Sequence, residues 1–329
     1  MLQGCTPWPD DLAARYRAKG YWQGITLPEM VARSAAKFPD KVALVDGARR
    51  LTYAELCQAI DDLACALVRQ GLAPRERVVF QMPNSAEMVI VFLALLRAGV
   101  IPVMSLPAHR QAEIGHFLAH AEAVGYVIAD RLKDFDYRAM AAELAPKCPS
   151  LRKIFVLGEP AGPNQIDLRA LRAERTDPHE AATILAERRA PAGEVALMLL
   201  SGGTTGIPKM IPRTHDDYVY ICRISGEEIG LDSQTVYLAL LQMAHNYTLI
   251  APGFLGTFQV GGRVVVSPGT SADIVFPLIA RERVTLVATA PPLVVAWLAA
   301  LESNRLDLSS LKVLTSGGAR LVPELRRRV

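Results

Sequence analysis

Ten short apolar runs recur along the chain, at residues 41–45, 77–80, 100–103, 126–129, 154–157, 195–200, 236–240, 263–267, 284–287 and 312–314. They are rich in Val, Ile and Leu and lack polar alternation, as expected of strands covered on both faces. Segments of helical length separate most of them, and such alternation builds parallel sheets flanked by helices. Ten strands crowd a single open sheet, so the expected fold is α/β with two largely parallel sheets. A chain of 329 residues has room for both.

Local signals agree with this pattern. Thr52 followed by Glu55 forms a capping box for the helix after the first run, and Asn84 with Glu87 predicts another, closed by Gly99. Residues 158–193, rich in Pro, Gly, Arg and Glu, read as a surface connection with one short helix. Pro323 is placed to open a helix that meets the last residue after seven positions. A helix this short is marginal alone, so the chain is expected to be the front part of a longer protein.

Composition excludes several classes. Thirty-six basic against 33 acidic side chains leave a net charge of +3, with no basic tract of the kind that binds nucleic acid. Arg326-Arg327-Arg328 reads as a solvated helix face. The five cysteines form no CxxC pair and are odd in number, which argues against a disulfide framework or zinc site and for the cytoplasm. The most apolar stretch, 88–104, is interrupted by Arg97, Gly99 and Pro102, so no membrane span is expected. His116 and His120 stand one helical turn apart, but without a third ligand they read as surface residues.

The richest motif is Ser201-Gly202-Gly203-Thr204-Thr205-Gly206-Ile207-Pro208-Lys209, directly after the run 195–200. Its glycines let backbone amides approach an anion closely, three hydroxyls add donors, and Lys209 adds a charge. A Walker A loop needs Gly-Lys-Ser/Thr opening a helix. Here Pro208 precedes Lys209, and Met210-Ile211-Pro212 reads as strand or turn. A Gly-rich hairpin without a ligand is the plain alternative, less suited to nine such residues after a buried strand.

This loop resembles the signature phosphate loop of the adenylate-forming superfamily, which includes acyl-CoA synthetases, luciferases and peptide-synthetase adenylation domains. Further segments resemble the family in order: Ala43-Leu44-Val45-Asp46-Gly47 with Leu51-Thr52-Tyr53-Ala54-Glu55-Leu56, then Asn84-Ser85-Ala86-Glu87, then Ala98-Gly99-Val100-Ile101-Pro102. Within the superfamily the strongest resemblance is to the 2,3-dihydroxybenzoate- and salicylate-AMP ligases of siderophore pathways. It rests on Arg15 through Trp22, on Leu106-Pro107-Ala108-His109-Arg110, and above all on Ala244-His245-Asn246-Tyr247 followed by Pro252-Gly253.

The resemblance implies two interleaved sheets, with 74–219 forming the first-sheet lobe, 1–73 plus 220–329 the second, and a C-terminal lid absent. It also implies roles. Ser201, Gly202, Gly203, Thr204, Thr205, Gly206 and Lys209 would hold ATP phosphates, and His245 and Lys209 would serve catalysis. Asn246, Tyr247, Ala251, Pro291 and Gly317 would line the aryl-acid pocket, with Gly318, Ala319 and Arg320 on the adenine side. Asn246 offers a donor and an acceptor to an ortho hydroxyl, and Tyr247 offers a ring face. Ala251 stands where relatives often carry a small polar residue, leaving one or two ring hydroxyls open. The implied reaction joins an aryl acid to ATP with Mg²⁺, releases pyrophosphate, and passes the acyl group to a phosphopantetheine thiol on an aryl carrier protein. No metal ligand is expected from this chain, and the chain alone is expected not to turn over. An aryl- or acyl-CoA synthetase is the rival within the superfamily, and a non-catalytic nucleotide-binding fragment the rival outside it. An amino-acid activator is disfavoured, because Ala244 stands where an Asp would meet the amine.

Overall fold

All ten apolar runs form strands in the computed structural model, which describes residues 2–162, 164–202, 206, 208–250, 252–303 and 305–328. They fall into two sheets. The first has seven strands, in the order Met210–Thr214, Val195–Leu200, Ile101–Met104, Arg77–Gln81, Gly125–Ala129, Lys153–Leu157 and Gln165–Asp167. The second has six, in the order Val313–Ser316, Leu286–Thr289, Val236–Ala239, Arg263–Val266, Val42–Asp46 and Arg49–Thr52. Pairing is parallel throughout both except at one edge of each, where Met210–Thr214 and Arg49–Thr52 run antiparallel.

Each sheet has its own core. In the first, Val79, Val103, Tyr126, Ile128 and Val156 pack against Phe117 and Leu118 of the helix Gln111–His120. In the second, Val45, Leu238, Val265 and Val287 pack against Ile279 and Trp297. Burial on both faces is why these strands lack polar alternation. The Thr52–Glu55 box forms as expected: Thr52 N–H donates to Glu55 Oε2 at 2.8 Å, and Glu55 N–H to Thr52 Oγ1 at 3.2 Å. Gly99 ends the helix Ala86–Arg97 at φ +74, where a Cβ would lie 2.7 Å from Arg188 O.

Three expectations change. The 158–193 segment holds an edge strand, Gln165–Asp167, and two helices, Leu168–Ala173 and Pro178–Ala186. Asp167 caps the first helix and Asp177 the second, so the start signals were present among the polar residues. Asn84 does not close a box with Glu87 in the expected way, because its amide bonds the 241–243 segment instead.

The compact units also divide the chain differently from the expected split at 73/74 and 219/220. One comprises Met1–Glu29, Cys57–Pro83 and Glu87–Tyr220; the other comprises Met30–Leu56, Asn84–Ala86 and Ile221–Val329. Aromatic packing draws the N-terminal segment into the first unit. Trp8, Tyr16 and Trp22 meet edge to face, Tyr21 stacks on Tyr220 at 5.2 Å, and Leu27 N–H donates to His215 Nδ1 at 3.2 Å. Asp62, 1% exposed, fixes the later part of the helix Tyr53–Arg69 there by accepting from Thr176 N–H and Arg175.

Candidate functional site

The phosphate-type loop leaves the carboxyl end of a buried parallel strand, the usual position for ligand-binding loops in α/β sheets. Leu200 pairs with Met210 across the antiparallel edge, so the chain departs and returns on adjacent strands. Two hydrogen bonds clasp the neck: Ser201 N–H donates to Lys209 O, and Lys209 N–H to Ser201 Oγ, each at 2.9 Å. Ser201 Oγ, an acceptor here, also carries a hydroxyl proton and has no acceptor for it among the described residues. Gly202 and Gly206 are exposed, and a Cβ on either would meet nothing within 4 Å. Lys209 is exposed beside them. Gly203, Thr204 and Thr205 lie outside the described residues. The strand after Lys209 replaces the helix that a Walker A loop would require.

In the second unit, the strand Val236–Ala239 leads into the turn that carries the His-Asn-Tyr triplet. Asn84 shapes this turn. Its Nδ2 donates to Leu241 O at 2.7 Å, and its Oδ1 accepts from Met243 N–H at 2.8 Å. Thr248 adds bonds from its hydroxyl to Gln242 O and His245 O. The triplet then opens the short helix Asn246–Leu249, with His245 as N-cap. His245 Nδ1 accepts from Tyr247 N–H at 3.3 Å, which leaves the proton of the neutral ring on Nε2 of an exposed side chain. That nitrogen is thereby a ready donor to a carboxylate.

Tyr247 is half-buried, and burial raises its phenol pKa. Its hydroxyl meets Thr315 Oγ1 at 2.6 Å. Its ring lies against Gly317, where a Cβ would sit 2.8 Å from Cε1. Gly317 N–H donates to Thr289 O at 3.0 Å, which fixes the strand end beneath the ring. The helix Pro291–Leu301 opens just beyond Thr289, with Pro291 half-buried. Gly318, Ala319 and Arg320 continue as an exposed segment after Val313–Ser316. Asn246 is half-buried beside Tyr247 in the same turn. The structure thus brings Asn246, Tyr247 and Gly317 into one neighbourhood, while Ala251 lies outside the described residues. Nearby Tyr237 is fully buried; burial, then the Tyr247 phenol, raise its pKa, and its hydroxyl has no hydrogen-bond partner among the described residues.

Sequence reading missed Asn84 and Thr315 as members of this site. Asn84 carried a capping signal that masked its long-range use, and Thr315 sits inside a strand with no motif of its own. The discounted histidines keep structural places. His116 stacks on His120 at 5.3 Å, and among the described residues no cluster of three or more His, Cys, Asp or Glu could hold a metal ion. His215 is buried, and desolvation pushes its imidazole down to about 4. All five cysteines are free. Among the described residues no helix is long and apolar enough to cross a membrane.

The two parallel sheets and the clasped loop define the N-terminal domain of an adenylate-forming enzyme. The apo structure of Mycobacterium smegmatis MbtA superposes with a TM-score of 0.89 at 37% identity, over 99% of this chain and 58% of that one. The AMP-binding enzyme family matches residues 31–329, and the chain belongs to that family. It is 46% identical over 329 residues to the 2,3-dihydroxybenzoate-AMP ligase of Bacillus subtilis (strain 168), covering all of this chain and 59% of that protein. It is likewise 46% identical over 328 residues to a Streptomyces salicylyl-CoA synthase / salicylate adenylyltransferase, covering 99% and 59%. The chain therefore spans about 59% of the length of these curated relatives.

Proposed function

We propose that this chain supplies the ATP-phosphate loop and the aryl-acid pocket of a cytoplasmic 2,3-dihydroxybenzoate- or salicylate-AMP ligase serving siderophore assembly. The observation that carries this is the Tyr247 ring, seated on Gly317 and tethered to Thr315 beside Asn246 and the capping His245. A flat apolar face next to an amide suits a benzoic acid with an ortho hydroxyl. A polar group aimed at that hydroxyl discriminates strongly against the analogue lacking it.

The aryl carboxylate attacks the α-phosphorus of ATP, forming the mixed aryl-adenylate anhydride and releasing pyrophosphate. Binding and orientation carry this step. His245 Nε2–H holds the attacking carboxylate, Asn246 the ortho hydroxyl, and Tyr247 the ring. In the first unit, the amides of the loop, the hydroxyl proton of Ser201 and the Lys209 ammonium hold the phosphate oxygens and stabilise the leaving pyrophosphate. The exposed Gly202, Gly206 and Lys209, with the Ser201 hydroxyl, fit a polyphosphate. Mg²⁺ would arrive on the triphosphate, and when bound it supplies charge neutralisation on the phosphate oxygens. Gly318, Ala319 and Arg320 face the adenine. The thiol of a phosphopantetheine on an aryl carrier protein then attacks the adenylate carbonyl, taking the aroyl group as a thioester and releasing AMP. Transfer to CoA is the second candidate, favoured by the similarity to a salicylyl-CoA synthase.

Calorimetric titration of the chain with 2,3-dihydroxybenzoate, salicylate and benzoate tests the pocket. Heat from the two hydroxylated acids and none from benzoate is the expected result, and a difference between the first two names the substrate. Equal binding of all three would overturn the role of Asn246, and no binding by any would overturn the aryl-acid pocket.

A further inference from the structure

We infer that Thr315 is a positioning residue for the aromatic wall, and through it a determinant of aryl-acid selectivity; this rests on the aryl-acid reading proposed above. The hydroxyl pair Tyr247 Oη–Thr315 Oγ1 is short, at 2.6 Å, and joins residues 68 positions apart. Tyr247 stands on a short helix of four residues, which offers its ring little support of its own. Thr315, by contrast, belongs to a strand in parallel register with its neighbour, Ala288 opposite Thr315 and Thr289 opposite Ser316. Thr289 Oγ1 donates to Thr315 O at 3.1 Å, adding a second anchor. The hydroxyl bond thus ties a weakly supported side chain to a rigid one.

The ring plane is set by two constraints. Gly317 lets the ring descend to where a Cβ would lie 2.8 Å from Cε1, 3.0 Å from Cζ and 3.2 Å from Cδ1. Thr315 fixes the far end of that ring through its hydroxyl. Removing the hydroxyl leaves the ring resting on Gly317 but free to tilt, so a flat substrate meets a wall of variable angle. Affinity for the ring then falls, while phosphate binding, which belongs to the loop of the other unit, does not depend on it.

A double-mutant cycle tests this, with salicylate and ATP titrated separately by calorimetry. Thr315→Val keeps the shape and removes the hydroxyl; Tyr247→Phe breaks the same bond from the other side, so the test survives if either variant fails to fold. Each is expected to weaken salicylate binding about three- to tenfold, the range for one lost hydrogen bond, with ATP affinity unchanged. The double variant is expected to lose no more than either single one, and Thr315→Ser to restore affinity to within about twofold. Multiplied losses in the double variant, unchanged salicylate affinity in both singles, or an equal loss of ATP affinity would overturn the role. Salicylate binding that is absent from the parent chain while ATP binds would overturn the aryl-acid reading, and with it this inference.

Discussion

Gly317 shows how a single missing side chain shapes this pocket. Its backbone lies where any Cβ would press into the Tyr247 ring. Gly317→Ala is expected to displace that ring, weaken aryl-acid binding by about tenfold and cost about 1–3 kcal/mol in stability, as overpacking does. Calorimetry and urea unfolding read the two effects. Gly317 was named from the sequence as a pocket residue, through the family resemblance. Its contact with Tyr247 was not, because nothing local joins residues 70 positions apart. Asn84 shows the same limit more sharply. Its place before a helix predicts a cap, yet its amide serves the 241–243 segment. Side-chain capping is a local preference, and two well-aligned distant partners override it.

At the scale of elements, the clasped loop and the His-Asn-Tyr turn are each held by a few hydrogen bonds. Ser201→Ala removes the acceptor of the Lys209 amide and a donor hydroxyl together. ATP affinity is expected to fall about tenfold, with aryl-acid affinity unchanged, as measured by separate titrations. Asn84→Ala leaves Leu241 O and Met243 N–H without their partner. It is expected to cost about 1–3 kcal/mol in urea unfolding and to weaken aryl-acid binding more than ATP binding. The ten apolar strands were legible, because a run of buried β-branched residues allows few alternatives. The edge strands Arg49–Thr52 and Gln165–Asp167 were not, since an edge strand half-exposed to solvent lacks that apolar signature.

At the scale of the whole chain, buried titratable groups set the response to pH. His215 is neutral and buried in the fold, with its imidazole near 4 against about 6.5 when unfolded. Between those values the unfolded chain binds the extra proton, so stability falls as pH drops from about 6.5 to about 4 and then levels off. The loss is on the order of 3 kcal/mol from this residue, and half-buried His109, also lowered by desolvation, adds to it. Carboxylates act lower. Arg138 holds Asp136 down to about 2, and the Arg50 hydrogen bond lowers Glu282, so their contributions are lost only as pH falls further. Urea midpoints between pH 4 and 7 check this, and His215→Gln is expected to flatten the upper part of the slope.

By itself, the sequence determined that the chain makes two parallel sheets with helices between strands, and that a donor-rich loop follows one buried strand. Both follow from near-neighbour physics: apolar runs, caps, and glycine next to hydroxyls and a lysine. Tertiary structure alone decided that residues 1–29 and 57–73 join the first unit, through aromatic stacking on Tyr220 and burial of Asp62. It also decided that Tyr247 is tethered by Thr315 and seated on Gly317. Those outcomes depend on which side chains meet after the sheets form, and such meetings leave no period, spacing or composition for a sequence to display.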